Sequence, residues 1–330
     1  MQKVCCRAFG PPEQLERIEV ATPEPETGEV LIEVRAAGVG FVDGLMIQGR
    51  YQVKPPLPYF PGSEFAGVVA ATGAGVTTLK AGDRVMGLAS SGAFADYLTL
   101  PAARLTRLPD ALDDVTAAGF YINYATALYG LRDCGHLEAG ETVLILGAAG
   151  GVGSAAICVA RALGARVIAA ASTATKRQAA LDWGADEAID YRNADWRDEL
   201  KQLTAGGGLQ MVYDPVGGDA AEPAFRSLSP GGRFLVVGFA SGSISSIALN
   251  LPLLKRSAIV GVDWGGASRA DPAINQELMQ TLMSWIAAGQ LVPAPVQVRP
   301  LVEFREALSD QLAGQVVGKL VLVNNASTSA

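Results

Sequence analysis

The sequence predicts an α/β protein in which a β-rich N-terminal region precedes a doubly wound, parallel sheet of six strands. Three observations predict it. Six short apolar runs between residues 142 and 265 have helical segments between most of them, the pattern of a parallel sheet covered on both faces. A loop of glycine and alanine closes the first run, in "LILGAAGGVG" (144–153). Before Val115 the texture differs: strand-like runs are punctuated by glycine and proline.

Composition sets the bounds. A chain of 330 residues is long enough for two domains with separate cores. It is 49% apolar and 18% charged, which excludes a disordered chain. The net charge is −7 and no basic run exceeds Lys176-Arg177, which argues against a nucleic-acid partner. Cys5, Cys6, Cys134 and Cys158 are too few and too badly spaced for a disulfide framework, so a reducing cytoplasm is expected. The opening "MQKVCCRAFG" has no apolar signal-peptide core. Residues 142–160 and 234–254 lack charge, but "GAAGGVG" and "GFASGSISS" interrupt them. Both read as buried core and not as membrane spans.

Each element follows in order. "EVLIEVRAAGVG" (29–40), "FAGVVAATGAGV" (65–76) and "AGDRVMGLAS" (81–90) are strands, the last entered by a turn at Gly82-Asp83. "KPPLPYFPG" (54–62) carries four prolines and is an extended loop. "DDVTAAGFYINYATALYGL" (113–131) is helical, with Asp113 and Asp114 at its start. The six strands "TVLILG", "ARVIAAA", "EAIDY", "LQMVYD", "GRFLVVG" and "SAIVGVDWG" come next. A long amphipathic helix, "NQELMQTLMSWIAAGQL" (275–291), precedes a closing strand in "VVGKLVLV" (316–323), and the "NNASTSA" tail ends the chain. There is no internal repeat.

The glycine loop fits a relaxed dinucleotide fingerprint. Ala148, Gly150 and Gly153 take the three glycine places of G-x-G-x-x-G, with Gly151 and Val152 between the last two. Gly150 lets the backbone approach a pyrophosphate, Gly153 lets the helix pack on its strand, and the helix N-terminus favours the anion. The second strand ends in "AAASTATKR" (169–177). An enzyme selecting NAD places an acid near Ala171 or Ser172 for the ribose 2′-hydroxyl. Ser172, Lys176 and Arg177 stand there instead, and hydroxyl plus cation suit the 2′-phosphate of NADPH.

The chain resembles the zinc-independent medium-chain dehydrogenase/reductases, in their quinone oxidoreductase or zeta-crystallin-like branch. The stretches that carry the resemblance are "AAGVGFVDGLMIQGRY", "PGSEFAGVV", "GETVLILGAAGGVG", "YDPVGG", "GGRFLVVGFASG" and "GKLVLV". It implies a GroES-like catalytic domain (1–124 and 266–330) into which a Rossmann domain (125–265) is inserted. It also implies a homodimer, and NADPH reduction of a quinone or an activated carbon–carbon double bond. Lys176 and Tyr191 match the grip on the 2′-phosphate and adenosine, and Thr126 matches a threonine near the nicotinamide ribose. Loops at Gly238–Phe239 and Asp263–Trp264 match those lining the nicotinamide. Two departures stand out: Cys158 replaces a glutamine, and Gly40 replaces an asparagine near the nicotinamide.

Zinc relatives need a Cys or His near Gly40 and a histidine where Ser63 stands, so no zinc is expected. The one histidine, His136, reads as an exposed loop residue despite Cys134 nearby. Without such a group alcohol oxidation is disfavoured, while hydride addition to an electron-poor acceptor needs less assistance. Tyr51, matching a tyrosine assigned a catalytic role in related enoyl-thioester reductases, is either a proton donor or a pocket-lining orienter. Asp43 reads as a brace for a strand-to-helix turn, and Asp214 as a brace for a loop on the cofactor side. Two rivals remain. One is an enoyl-CoA or acryloyl-CoA reductase, with Arg50 and Lys54 flanking Tyr51. The other is a non-catalytic, NADPH-binding structural or RNA-binding protein of the crystallin-like kind.

Overall fold

The computed structural model describes residues 1–324; the rest of the "NNASTSA" tail lies outside them. The chain forms two units, Met1–Ile122 with Pro295–Ala330, and Asn123–Ala294. The second boundary therefore falls at 294, where the sequence reading expects 265. Residues 266–294 group with the second unit because helix Pro272–Ala287 buries Leu278, Met279, Leu282 and Ile286. Glu277 on that helix is 2.6 Å from Arg132, and Gln290 Nε2 donates to Ala162 O at 3.0 Å.

The first unit holds a two-stranded antiparallel sheet, Gln2–Cys5 with Glu16–Glu19, and a seven-stranded sheet. The spatial order of the larger sheet is Val296–Pro300, Lys319–Val323, Glu29–Val39, Glu64–Thr72, Arg84–Leu88, Leu105–Arg107, with Tyr97–Pro101 also paired to Glu29–Val39. Glu29–Val39 alternates half-buried and buried residues along its first half, the period of a pleated strand with one face on a core. The closing strand from the C-terminus pairs antiparallel to it, Leu320 opposite Val39. Leu320, Phe304 and Leu301 thus share one core with Ile32, Phe65 and Val85. Chain ends far apart in sequence complete a single hydrophobic cluster.

The second unit is the parallel sheet. Its spatial order is Glu187–Ile189, Arg166–Ala170, Thr142–Leu146, Leu209–Asp214, Leu228–Val236, Ala258–Gly261, and every neighbouring pair is parallel. All five residues of the central Thr142–Leu146 are buried, as a strand covered on both faces requires. The chain winds outward from that strand, then returns to its other side at Leu209. Loops after the strands therefore diverge at this switch point, where α/β sheets bind ligands.

The expected helix over 113–131 is interrupted. Asp113 caps Asp114–Ala118 by accepting from Thr116 N, and a new helix runs over Tyr121–Leu128, followed by a π-turn at Tyr129–Cys134. The break falls at Gly119, against which the Lys319 side chain packs; a Cβ there would lie 2.7 Å from Lys319 Cγ. Among the described residues, no helix is long and apolar enough to cross a membrane.

Candidate active site

The glycine loop sits at the carboxyl end of the central strand. Gly147 turns the chain with φ +57°, a region that favours glycine. Gly150 then starts the helix Gly151–Ala162, and Ser154 N bonds back to Gly150 O at 2.8 Å. The three glycines that follow Gly147 in the loop differ in what surrounds them. A methyl at Gly153 would collide with the Gly147 carbonyl and lie 2.7 Å from Ala148 Cα, so close packing of helix on loop dictates glycine there. A methyl at Gly151 would lie 2.9 Å from the Asn123 side-chain amide. At Gly150 the nearest atom would be Gly147 O at 3.4 Å, an ordinary contact. Nothing in the chain itself demands glycine at 150. The bare backbone and the unpaired N–H groups of a helix start make a cradle for an anion.

The other residues singled out from sequence gather along the same sheet edge. Ser172 and Lys176 lie just after Arg166–Ala170, where Thr173 Oγ1 caps the next helix by accepting from Lys176 N at 3.2 Å. Arg177 is engaged on Asp190 at 2.7 Å and on Ala171 O at 3.2 Å. Tyr191 follows Glu187–Ile189 and packs its ring against the sheet's core. Gly238 and Phe239 follow Leu228–Val236; the Asp214 carbonyl accepts from Val237 N and Gly238 N at 2.9 and 3.2 Å. The Asp214 carboxylate accepts from Val216 N and Gly217 N at 2.8 and 2.9 Å, so one residue holds two neighbouring loops. Asp263 caps helix Trp264–Ala270 by accepting from Gly266 N, and Trp264 is buried. Thr126 lies on helix Tyr121–Leu128, three residues after Asn123, whose amide meets the glycine loop. Sequence reasoning missed Asn123. Its partner, Gly151, is known only once the helix docks.

In the first unit, Tyr51 follows helix Phe41–Ile47 and is half-buried. The start of that helix is braced by Asp43. Its Oδ2 accepts from Gly40 N at 2.8 Å and its Oδ1 from Ser63 Oγ at 3.3 Å. Beneath lies a buried ion pair that the sequence did not reveal. Lys319 reaches Glu64 Oε1, while Glu64 Oε2 accepts from Ile122 N at 3.0 Å. Burial pushes the Asp43 carboxyl up to about 6, against the Gly40 hydrogen bond and Lys319, which pull it down. Tyr59, also buried, has its phenol pushed up by burial and by the Asp43 charge.

This arrangement does not fit zinc. Gly40 offers no ligand, the Ser63 hydroxyl bonds to Asp43, and Glu64 is held by Lys319. Among the described residues, no group of three or more His, Cys, Asp or Glu side chains is placed to hold a metal ion.

The chain joins a GroES-like sheet unit to a Rossmann unit. Residues 26–110 match the family described as alcohol dehydrogenase GroES-like domain, and 151–287 that described as zinc-binding dehydrogenase. The chain is 37% identical to quinone oxidoreductase-like protein 2 of Mus musculus over 305 residues, 92% of this chain and 87% of that protein. The structure of Escherichia coli quinone oxidoreductase complexed with NADPH superposes with a TM-score of 0.89 at 31% identity, covering 98% of this chain and 100% of that one. The CurK enoyl reductase superposes with a TM-score of 0.88 at 26% identity, covering 98% and 99%. The chain belongs to the medium-chain dehydrogenase/reductase family, in its quinone oxidoreductase branch.

Proposed function

We propose that the protein is a zinc-independent, NADPH-dependent reductase of quinones or of activated C=C bonds such as enones. One observation carries the cofactor reading: at the start of helix Gly151–Ala162 a side chain at Gly150 would meet only one ordinary contact, Gly147 O at 3.4 Å, so the backbone there stays open to an anion. The neighbour solved with NADPH supports the same choice. Bound there, NADPH would supply the hydride. The chain's own residues would hold and orient it. Gly150–Gly153 and the helix start receive the pyrophosphate, Ser172, Lys176 and Tyr191 the 2′-phosphate and adenosine end. Thr126, Gly238–Phe239 and Asp263–Trp264 take the nicotinamide end. Tyr51 delivers a proton to the acceptor or orients it. With no metal ligand at Gly40 or Ser63, the acceptor must already be electron-poor.

A second reading is an enoyl-thioester reductase. Arg50 and Lys54, both exposed beside Tyr51, would meet the phosphates of a CoA, and the CurK likeness favours it. One panel decides between them: kcat/KM with a quinone, an enone and an enoyl-CoA at saturating NADPH. The proposal expects quinone or enone to lead; a large preference for enoyl-CoA would transfer the assignment to the second reading.

We also propose a homodimer in a reducing cytoplasm. Strand Ala258–Gly261 is the outermost of its sheet, and residues 257–262 carry no charge to protect that edge. Leu253 and Leu254 beside it are largely exposed. A second copy meeting this edge across a two-fold axis would cover both.

A further inference from the structure

The end of the dinucleotide site nearest Ser172 holds an acid after all. Asp190 follows strand Glu187–Ile189, which pairs with Arg166–Ala170 so that Ile189 lies opposite Ala170. Ala171 N donates to Ile189 O at 3.1 Å, which places Asp190 beside the Ala171–Ser172 turn. A free carboxylate at that place would accept from a ribose 2′-hydroxyl and repel a 2′-phosphate. This one is not free. Arg177 Nη1 donates to Asp190 Oδ2 at 2.7 Å and to Ala171 O at 3.2 Å, which ties the acid to the turn. Arg192 donates to the same carboxylate three times more, from its backbone N and its Nε to Oδ1 at 3.0 and 3.3 Å and from Nη2 to Oδ2 at 3.4 Å.

The two arginines are not equivalent. Arg177 is shorter-bonded and its side chain is 25% exposed; its charge is taken up by Asp190. Arg192 is 59% exposed and its side-chain contacts are long. Those contacts occupy two of its five N–H donors. Two guanidinium groups thus share one carboxylate, a surplus of positive charge beside the Ala171–Ser172 turn.

Resting on the dinucleotide reading above, we infer that Arg192 is a 2′-phosphate-recognising residue that sets NADPH specificity, with Asp190 holding it against the Ser172 turn. Arg177 is the structural partner that cancels the acid, and Arg192 with Lys176 faces the phosphate. A planar guanidinium donates two parallel hydrogen bonds to a phosphate, which a solvated lysine does not.

Tryptophan-fluorescence titration of NADPH and NADH tests this on the wild type, Arg192→Ala and Arg177→Ala. The wild type is expected to bind NADPH more tightly than NADH. In Arg192→Ala the NADPH Kd rises about tenfold while the NADH Kd changes less than about twofold. Arg192 is 59% exposed, and an unchanged melting temperature of the variant shows that its fold is intact. Arg177→Ala lowers the melting temperature and leaves the ratio of the two Kd values closer to wild type. A wild-type NADPH preference that survives Arg192→Ala intact overturns this inference and leaves the dinucleotide reading standing. So does a ratio lost in Arg177→Ala alone. A wild type that binds neither nucleotide overturns both.

Discussion

Gly150 and Gly153 show how single residues of one motif answer to different forces. Both were legible as a fingerprint, but the reasons separate only in the fold. Gly153→Ala forces a methyl into the Gly147 carbonyl and is expected to cost about 1–3 kcal/mol of stability. Gly150→Ala meets only an ordinary contact and loses no more than an N-cap preference, so its stability should fall by about 1 kcal/mol or less. Its NADPH affinity should nevertheless fall, because the methyl occupies the approach to the pyrophosphate. Urea denaturation and NADPH titration of the two variants check this; equal stability losses would remove the distinction. Tyr51 is a residue of the other unit. If it donates the proton, Tyr51→Phe lowers kcat for an enone by roughly 10²–10⁴ and leaves a quinone, whose oxygens take protons from water, little changed. An equal rise in KM for both acceptors would mean that the tyrosine only shapes the pocket.

Helix Phe41–Ile47 and the strands Glu64–Thr72 and Lys319–Val323 form a connected polar support. The strands were legible from their apolar runs. The Glu64–Lys319 pair was not, because its partners come from opposite ends of the chain and meet only through sheet pairing. The helix over 113–131 was read as continuous, because the strand that packs on Gly119 is likewise remote in sequence. Asp43 gives this support a pH signature. Its folded pKa, about 6, lies above the ordinary 3.8, so the native state binds the proton more tightly than the unfolded chain. That contribution is complete below about pH 4 and is lost as pH rises through about 6. The charges facing Asp43 are Lys319, which favours ionisation, and Glu64, which opposes it. Measured against Asp43→Asn, the wild type should lose on the order of 3 kcal/mol of relative stability between about pH 4 and pH 7. Urea denaturation across that range reads it. A difference independent of pH would show that Asp43 titrates normally.

At the scale of the whole molecule, the alternation of strands and helices was enough to read the parallel sheet. The unit boundary was harder to read. Helix Pro272–Ala287 is amphipathic in either setting, and only its buried face and the Arg132–Glu277 pair assign it to the second unit. The sheet of the same unit has the uncharged strand Ala258–Gly261 at its edge. Ile259→Lys and Val260→Lys place charge on that edge without entering the core, since both side chains are at least partly exposed. Light scattering is expected to find the wild type as a dimer and the double variant as a monomer; an unchanged dimer would place the interface elsewhere. The central claim is that NADPH and an electron-poor acceptor suffice for turnover, with zinc playing no part. Its most direct measurement is NADPH oxidation by the untagged protein with an enone and with a quinone, before and after dialysis against a chelator, alongside metal analysis of the same sample. The account predicts turnover of at least one acceptor, unchanged by the chelator, in protein without stoichiometric zinc. Stoichiometric zinc with activity lost on its removal would contradict it.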